Sequence, residues 1–565
     1  MRKWAIPVLG VAALAVGLFA AVAFAASGDL DPSFDGDGVA AIDWGGDDVA
    51  RSLAIQPDGK IVVVGTGFAA PVDLGLSRLS VDGTPDGGFS GDGRAAYALG
   101  GDEDGSAVTL QPDGKIVAVG HTLRTGPAVE RAVVTRTNPD GTPDGSWGVS
   151  GVLEVEYGGT EDRARDVIVQ PDGMIVTVGW GAPTSDIQVT RLTTGAVPDP
   201  GFDGDGTRAV NLGGTEQGFS IARQTDGKIV FGGLTSNGTE SLVVGRLNTN
   251  GTPDSSFDAD GIKTLGAGFG DIGRDVAVQS DGKILVLGFG GTDFKLTRLN
   301  QSGTIDTGFG SGGTATIDFG AGDIGQSVLL LGNGKIVVSG QTGGNRAAIA
   351  LLQPGGTLDT TFNGDGKVTL PTSIGNAAGL GVSPDGKLVV AGPGETGSGN
   401  VGVARIEGDF VPGPGSGGPG GPGGPGVQSV PRCGGKRATI VGTKGSERLK
   451  GTRRSDVIVA LGGNDKVTGG RGNDIICGGD GNDSVSGEAG KDRIYGQNGK
   501  DSLSGGDGND RLEGGTANDK MNGGPGKDGL LGGPGKDKLS GGGGRDSCNG
   551  GGGADTAACE KRKAI

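Results

Sequence analysis

The sequence predicts an all-β protein built from two repeat arrays, and three observations predict it. Glycine supplies 126 of 565 residues while aromatics make up only 4%. That composition suits many short strands joined by glycine turns and does not suit a Leu-rich helical globule. A unit containing QPDGKIVVVG recurs seven times before residue 410, and after Cys433 an aspartate returns every ninth residue without drift. Two arrays of different period imply two architectures rather than one shared core.

The chain opens with MRKWAIPVLGVAALAVGLFAAVAFAAS, which has two basic residues, an apolar run and Ala23-Phe24-Ala25 as an A-x-A cleavage site. Residues 1–26 read as a secretory signal peptide. An uncleaved membrane anchor is the alternative, because the run is nearly long enough to span a bilayer. No cysteine follows the run, and the final CEKRKAI has no hydrophobic stretch. The mature protein is therefore expected to be secreted and extracellular, without stable membrane insertion.

Residues 27–410 carry the long repeat. QPDGKIVVVG (Gln56–Gly65) returns as QPDGKIVAVG (Gln111–Gly120), QPDGMIVTVG, QTDGKIVFGG, QSDGKILVLG, LGNGKIVVSG and SPDGKLVVAG. The glycine before the Lys or Met falls at 59, 114, 173, 227, 282, 334 and 386, a unit of 52–59 residues. Four strands are expected per unit: Gly38–Trp44, Val49–Ile55, Ile61–Val64 after the Asp58-Gly59 turn, and Leu74–Leu79. In each the valines and isoleucines alternate or run between turn residues. The last strand carries an Arg-Leu pair that recurs at Arg191-Leu192, Arg246-Leu247 and Arg298-Leu299. One large ring per unit (Phe34, Phe89, Trp147, Phe202, Phe257, Phe309 and Phe362) keeps a constant phase, as a wedge between neighbouring sheets would. Seven four-stranded units predict a seven-bladed β-propeller.

These units resemble the delta-60 repeat proteins of secreted bacterial origin. The resemblance rests on LDPSFDGDGVA (Leu30–Ala40), the acidic loop after it and IQPDGKIVVVG, and it covers Leu30 to Ile406. It implies fold and export and brings no established activity. The following VPGPGSGGPGGPGGPG (Val411–Gly426) has no residue able to form a core, so residues 411–432 are expected to be an extended Pro/Gly linker.

Residues 433–565 carry the short repeat. Asp456, Asp465, Asp474, Asp483, Asp492, Asp501, Asp510, Asp519, Asp528, Asp537, Asp546 and Asp555 stand nine apart, and Glu447 holds the same phase one step earlier. Two residues after each aspartate comes a mostly aliphatic position: Ile458, Val467, Ile476, Val485, Ile494, Leu503, Leu512, Met521, Leu530 and Leu539. Glycines precede the aspartate, giving G-G-x-G-x-D-x-U-x, the nonapeptide of a parallel β-helix. A three-residue strand with one inward apolar residue is unstable alone, whereas stacking buries a continuous aliphatic row. Two nonapeptides make one flattened turn, and turns stack roughly 4.8 Å apart. Aspartates 18 apart then form two edge columns, Asp465 to Asp537 and Asp474 to Asp546.

Two carboxylates about 5 Å apart repel by roughly 0.8 kcal/mol in water and by more when partly buried. Such columns need cations between their rungs. Calcium takes six to eight oxygens from carboxylates and carbonyls, and glycine turns can aim carbonyls inward because glycine accepts positive φ. The candidate ligands are Asp465, Asp474, Asp483, Asp492, Asp501, Asp510, Asp519, Asp528, Asp537, Asp546 and Asp555. Over Gly442–Asp555 the chain resembles the repeats-in-toxin calcium-binding family, which implies that each ion bridges the turn of one nonapeptide and that of the second one along. The residue before the aspartate is Asn at 464, 473, 482, 509 and 518, but Lys491, Lys500, Lys527, Lys536 and Arg545 depart from this. These cations either point outward or salt-bridge the aspartates in place of calcium. The strongest sites are expected near Asp474 and Asp483, the weakest after Lys527. A glycine-rich solenoid or disordered tail binding no ion is the bland alternative.

The four cysteines, Cys433, Cys477, Cys548 and Cys559, all lie in this last region. In an oxidising compartment they form two disulfides, for which three pairings exist. Cys433–Cys477 with Cys548–Cys559 is expected, closing the two ends of one domain. Zinc is disfavoured, since there is no CxxC and the one histidine, His121, lies far away in sequence.

From Cys433 onward there are 18 acidic and 21 basic residues, leaving 48 and 28 of the chain's 66 and 49 before it, a net of −20. Such an acidic surface disfavours nucleic acid and anionic membrane as partners. The F-D-G-D-G clusters fail as EF-hands because Ile42 stands where a glutamate is needed, so they read as turns. A single histidine excludes HExxH, and a lone histidine after a strand reads as surface or pore lining rather than part of a triad. The second and third units differ from the rest around His121, Glu130, Arg131 and Trp180, which marks either a ligand site or loop-length variation. The expected function is non-catalytic: a secreted calcium-binding protein whose C-terminal roll folds in external calcium, with the propeller as an interaction module. Its partners beyond Ca2+ would be cell-wall polysaccharide or another surface protein. The rivals are a secreted propeller hydrolase, with carboxylates and a metal converging on the channel, and a cell-envelope adhesion protein.

Overall fold

The computed structural model describes residues 27–410 and 432–563, except 47, 68–71, 125–128, 158, 182–184, 267–271, 321, 372–373, 395–398, 409, 435, 439, 443–444 and 560. The expected signal peptide (1–26) and, but for its last residue, the expected linker (411–432) lie outside the described residues.

Seven four-stranded antiparallel sheets form the propeller. In the first blade Val49–Ile55, Ile61–Gly67, Asp73–Leu79 and Arg94–Tyr97 pair in sequence order. The outer strand comes from the start of the following unit, so the sheets are phased one strand later than the sequence units. The consequence appears at the ends of the array. The last sheet takes Gly379–Val382, Leu388–Pro393 and Val401–Ile406 from the C-terminal side, and its fourth strand is Val39–Ile42 from the N-terminal side. Val39 pairs with Ala404 and Ile42 with Val401, which closes the ring by completing the last four-stranded sheet with a strand from the other end of the array. Each innermost strand packs against the innermost strands of both neighbours.

Each unit's ring is fully buried and sits in a cluster shared by two blades. Phe89 packs with Val62 and Val64 of one blade and Val108 and Ile116 of the next, and Phe309 joins Leu285 and Leu287 to Val328 and Ile336. The rings are the wedges. Over six of the seven lies an arginine of the preceding strand, as in Arg78 over Phe89 at 4.8 Å, Arg136 over Trp147 at 5.3 Å and Arg405 over Phe34 at 4.8 Å. At Phe362 that place is taken by Leu351, and Phe410 packs edge-on at 5.9 Å. The same arginine binds the aspartate three residues before the ring, as in Arg78 Nε to Asp86 (2.6 Å) and Arg246 Nε to Asp254 (2.6 Å). The lysine of the D-G-K turn joins that aspartate, with Lys115 to Asp144 and Lys228 to Asp254 both at 2.9 Å. The recurring acids of these turns are thus anchored by cations, and the long repeat encodes one ion-pair cluster per blade junction.

Residues from Ile440 onward form a solenoid of two parallel sheets. Val467 stands opposite Val485, and Val485 opposite Leu503, so one turn is 18 residues. Most strands run six residues, such as Ser484–Ala489 and Arg493–Asn498, longer than the three expected, because the glycine pair continues each ladder. The inward row from Ile458 to Leu539 is buried and forms one core, with Cys548 at the next phase. Cys433 is bonded to Cys477 and Cys548 to Cys559, with Cα–Cα distances of 5.7 and 6.0 Å. No helix among the described residues is long and apolar enough to cross a membrane.

Candidate metal centre

Each nonapeptide turn brings its aspartate inward at the edge between strands. The side chains of all eleven candidate aspartates are buried; Asp474 is 0% exposed and Asp555, at the end, 6%. Burying a carboxylate is costly unless its oxygens find partners, and the two oxygens of each fare differently.

Oδ1 has a fixed protein partner. The backbone N–H of Asp465 donates to Asp483 Oδ1, that of Asp483 to Asp501 and that of Asp501 to Asp519, at 2.8, 2.8 and 2.9 Å. The opposite edge repeats this from Asp474 to Asp492 and from Asp492 to Asp510. Each carboxylate thus clamps the turn one full coil before it. Glu447 holds the same phase, its N–H donating to Asp465 Oδ1 at 2.8 Å.

Oδ2 has none. In Asp465, Asp474, Asp483, Asp492, Asp501, Asp510, Asp519, Asp528, Asp537 and Asp555 this oxygen is buried and meets no protein donor. Asp456 differs, because Thr452 offers both its N–H (2.7 Å) and its hydroxyl (2.8 Å) to Oδ2. Asp546 clamps Asp528 through Oδ1 at 2.9 Å.

The glycines shape the space around Oδ2. A Cβ on Gly478 would stand 2.4 Å from Asp483 Oδ2 and 2.9 Å from the Gly496 carbonyl, and one on Gly496 would stand 2.4 Å from both Asp501 Oδ2 and the Gly514 carbonyl. Only glycine leaves this oxygen-lined cradle open. The glycine two residues before the aspartate has positive φ, 125° at Gly499 and 148° at Gly508, a region closed to most side chains.

Burial pushes these acids upward, and a neighbouring carboxylate, in most cases the one a coil away, adds to it. Asp492, Asp501 and Asp528 rise to about 6 and Asp519 to about 7, while Asp474, Asp483, Asp510 and Asp537 are also raised.

The donor set of carboxylate Oδ2 atoms and glycine-turn carbonyls is all oxygen, with no thiolate or imidazole beside it among the described residues. A hard divalent cation such as calcium, bound by oxygens at about 2.3–2.6 Å, fits it, and the residues to hold it are the ten aspartates with unpartnered Oδ2.

The basic residues that break the asparagine pattern take the outward course. Lys491, Lys500, Lys527, Lys536 and Arg545 are exposed, and among the described residues none pairs with an aspartate of the columns. The asparagines have a structural task, since Asn464, Asn473 and Asn482 each accept the N–H of the residue one coil on, at 2.7, 2.9 and 2.8 Å. In the propeller, carboxylate oxygens of Asp293, Asp318 and Asp323 lie within 4.8 Å of one another, a grouping the sequence did not single out. Lys295 stands 3.7 Å from Asp293 as a counter-charge.

Comparison with known proteins matches both arrays. Residues 441–476, 478–512, 495–530, 504–539 and 528–557 match the family described as RTX calcium-binding nonapeptide repeat. Residues 56–89, 111–146, 224–257, 279–309 and 331–362 match the domain of unknown function DUF5122, a β-propeller. No curated protein matches the chain. Among solved structures, the WD40 β-propeller domain of Doa1 is similar at 14% identity, covering 64% of this chain and 94% of its own, with a TM-score of 0.37. YCF48 from Cyanidioschyzon merolae is similar at 13% identity, covering 65% and 98%, with a TM-score of 0.38. The polysaccharide lyase Uly1 is similar at 13% identity, covering 63% and 89%, with a TM-score of 0.38. At these values nothing about function passes from them to this chain.

Proposed function

With RTX calcium-binding nonapeptide repeats in its C-terminal quarter and a DUF5122 β-propeller before them, this chain is, we propose, a secreted bacterial protein whose roll folds when it meets external calcium. The observation that carries this is the row of ten buried Oδ2 atoms without protein donors. At low calcium the columns repel and the coils come apart. At external calcium each ion draws neighbouring coils together, so binding free energy becomes folding free energy. A chain unfolded during export and folded afterwards follows from that coupling.

The propeller serves as a non-catalytic interaction module, for cell-wall polysaccharide or another surface protein. A groove of about 680 Å3 beside the outer strands of the first two blades, lined in part by Tyr97, Leu99, Val149 and Leu153, supports this role. Val149 is 82% exposed there. The rival reading is a propeller hydrolase, with carboxylates and a metal converging on its channel.

The test is expression with the native N-terminus in a bacterial host, followed by fractionation and limited proteolysis. The reading expects recovery in the medium without residues 1–26 and protection of 433–565 only when calcium is present. Retention in the cytoplasm, or equal protection in chelator, would count against it. Mature protein should also turn over no generic ester or lactone and should be retained on cell-wall material.

A further inference from the structure

The innermost strand of six blades carries a β-bulge at one equivalent place, where its register against the next strand slips by one residue. The slips fall between Ala50 and Ser52, Gly105 and Ala107, Ala164 and Asp166, Gly218 and Ser220, Gly273 and Asp275, and Gly325 and Ser327. A bulge re-aims the side chain of its extra residue. The six extra residues, Arg51, Ser106, Arg165, Phe219, Arg274 and Gln326, all line one cavity of about 210 Å3, which Asn376 and Ala378 complete from the seventh blade. Since the innermost strands form a closed ring, this cavity is the central channel.

Three arginines and, among the described residues, no carboxylate line it, although the chain as a whole carries a net charge of −17. Arg165 and Arg274 are set on aromatic faces: Arg165 lies 5.3 Å over Trp180, Trp180 meets Phe219 edge-on at 5.7 Å, and Arg274 lies 5.1 Å over Phe219. Around the cavity, Asp104 stands 3.6 Å from Arg51, and Glu130 is taken by Arg163. His121 pairs in register with Asp104. Burial pulls Arg165 down to about 10; of the charges around it Asp104 pulls upward, while Arg51, Arg274 and Arg163 push downward. The three arginines therefore share one electrostatic neighbourhood. A second kind of observation points the same way: Ser106 is 7% exposed, lines the cavity, and its hydroxyl meets no protein partner.

Guanidinium groups are forked donors matched to carboxylate, sulfate and phosphate oxygens. We propose that the central channel binds a small oxyanion of charge about minus two, held by Arg51, Arg165 and Arg274 with Ser106 as a further donor. The cavity volume admits a dicarboxylate or the head of a sulfate or phosphate ester, not a polymer. This site is independent of the calcium roll.

The experiment is titration calorimetry on the mature full-length chain in calcium buffer, using sulfate, glycerol phosphate and succinate, which bind calcium weakly. At least one should bind saturably with one site per chain, and Arg165→Gln and Arg274→Gln should each weaken it about tenfold or more. Preference for sulfate and glycerol phosphate assigns a tetrahedral anion, and preference for succinate a dicarboxylate. Arg51→Gln, at a side chain 43% exposed, gives the same readout should the buried variants fail to fold. Absence of saturable binding for all three anions overturns the proposal, as does unchanged affinity in the folded variants.

Discussion

The backbone N–H of Asp465 donates to Oδ1 of Asp483 at 2.8 Å, one coil further along the solenoid. This bond divides the carboxylate's work. Oδ1 sets the spacing of the coils within the protein, and Oδ2 is left for a cation. A carboxylate in that position is both a structural clamp and a ligand, and the two roles can be separated by substitution.

Asp501→Asn keeps an oxygen able to accept the Asp483 N–H and removes the charge. The apo roll should become more stable, because a repelling buried charge is gone. Calcium affinity at that column should fall about tenfold or more, since a charged ligand is lost. Circular dichroism of fragment 433–565 in chelator, where the variant should show more residual β signal, and a calcium titration, where it should need more metal, check both signs. A β signal in chelator that is strong in the parent fragment and lost in the variant would mean that the carboxylate is already satisfied without metal.

Acid should move the two arrays in opposite directions. Asp492, Asp501, Asp519 and Asp528 have folded values raised to about 6–7. In chelator the native roll binds more protons than the unfolded chain between about pH 4 and 7, so its stability rises as pH falls through that window. Protons compete for the same oxygens, so calcium affinity falls over that window. In the propeller, burial pushes Asp31 up, but hydrogen bonds from Lys387, Ser33 and Arg405 hold it well below the usual range. Its contribution is present above the unfolded value and is lost as pH drops below about 4. Circular dichroism of the roll in chelator, which should gain β signal as pH falls from about 7 to 4, and melting curves of the propeller against pH test the contrast.

Turn glycines should be replaceable in one direction only. Gly496→Ala places a Cβ 2.4 Å from Asp501 Oδ2 and should cost about 3 kcal/mol or more while weakening calcium binding. Ala517, where the pattern has glycine, is held at φ 80°. Ala517→Gly should gain about 1 kcal/mol by relieving that backbone. Calcium-saturated melting temperatures of both variants give the check.

Ring closure should depend on one ion pair. Arg405 donates to Asp31 at 2.5 Å, joining residues 374 apart in sequence, and its Nη1 reaches the Val81 carbonyl. Lys387 also binds Asp31, at 2.6 Å. Arg405→Met should cost about 2–4 kcal/mol, because it strips one partner from a buried carboxylate. Proteolysis at the N-terminal strand should rise in proportion to the lost stability.

Much of this was legible in the sequence because both arrays repeat with fixed phase. The ring at Phe34 through Phe362 announced the blade junctions, and the nine-residue aspartate period announced the solenoid. Three features were hidden for physical reasons. Blade phasing depends on which strand pairs with Val39–Ile42, a contact across the whole array that no local pattern records. The channel arginines sit on bulges, and a one-residue slip in register leaves no mark in hydrophobic alternation. The division between Oδ1 and Oδ2 requires knowing which backbone N–H lies one coil away. The lysines before the aspartates could be read two ways from sequence, and their exposed positions decide for the outward one.

The most direct measurement is far-ultraviolet circular dichroism of fragment 433–565 at neutral pH, titrated with calcium and then with chelator. A spectrum that is unordered without calcium, gains β signal on its addition and loses it again on chelation is the predicted result. The same β spectrum with and without calcium, together with no heat of calcium binding, would contradict the central claim that the orphaned Oδ2 row is completed by metal.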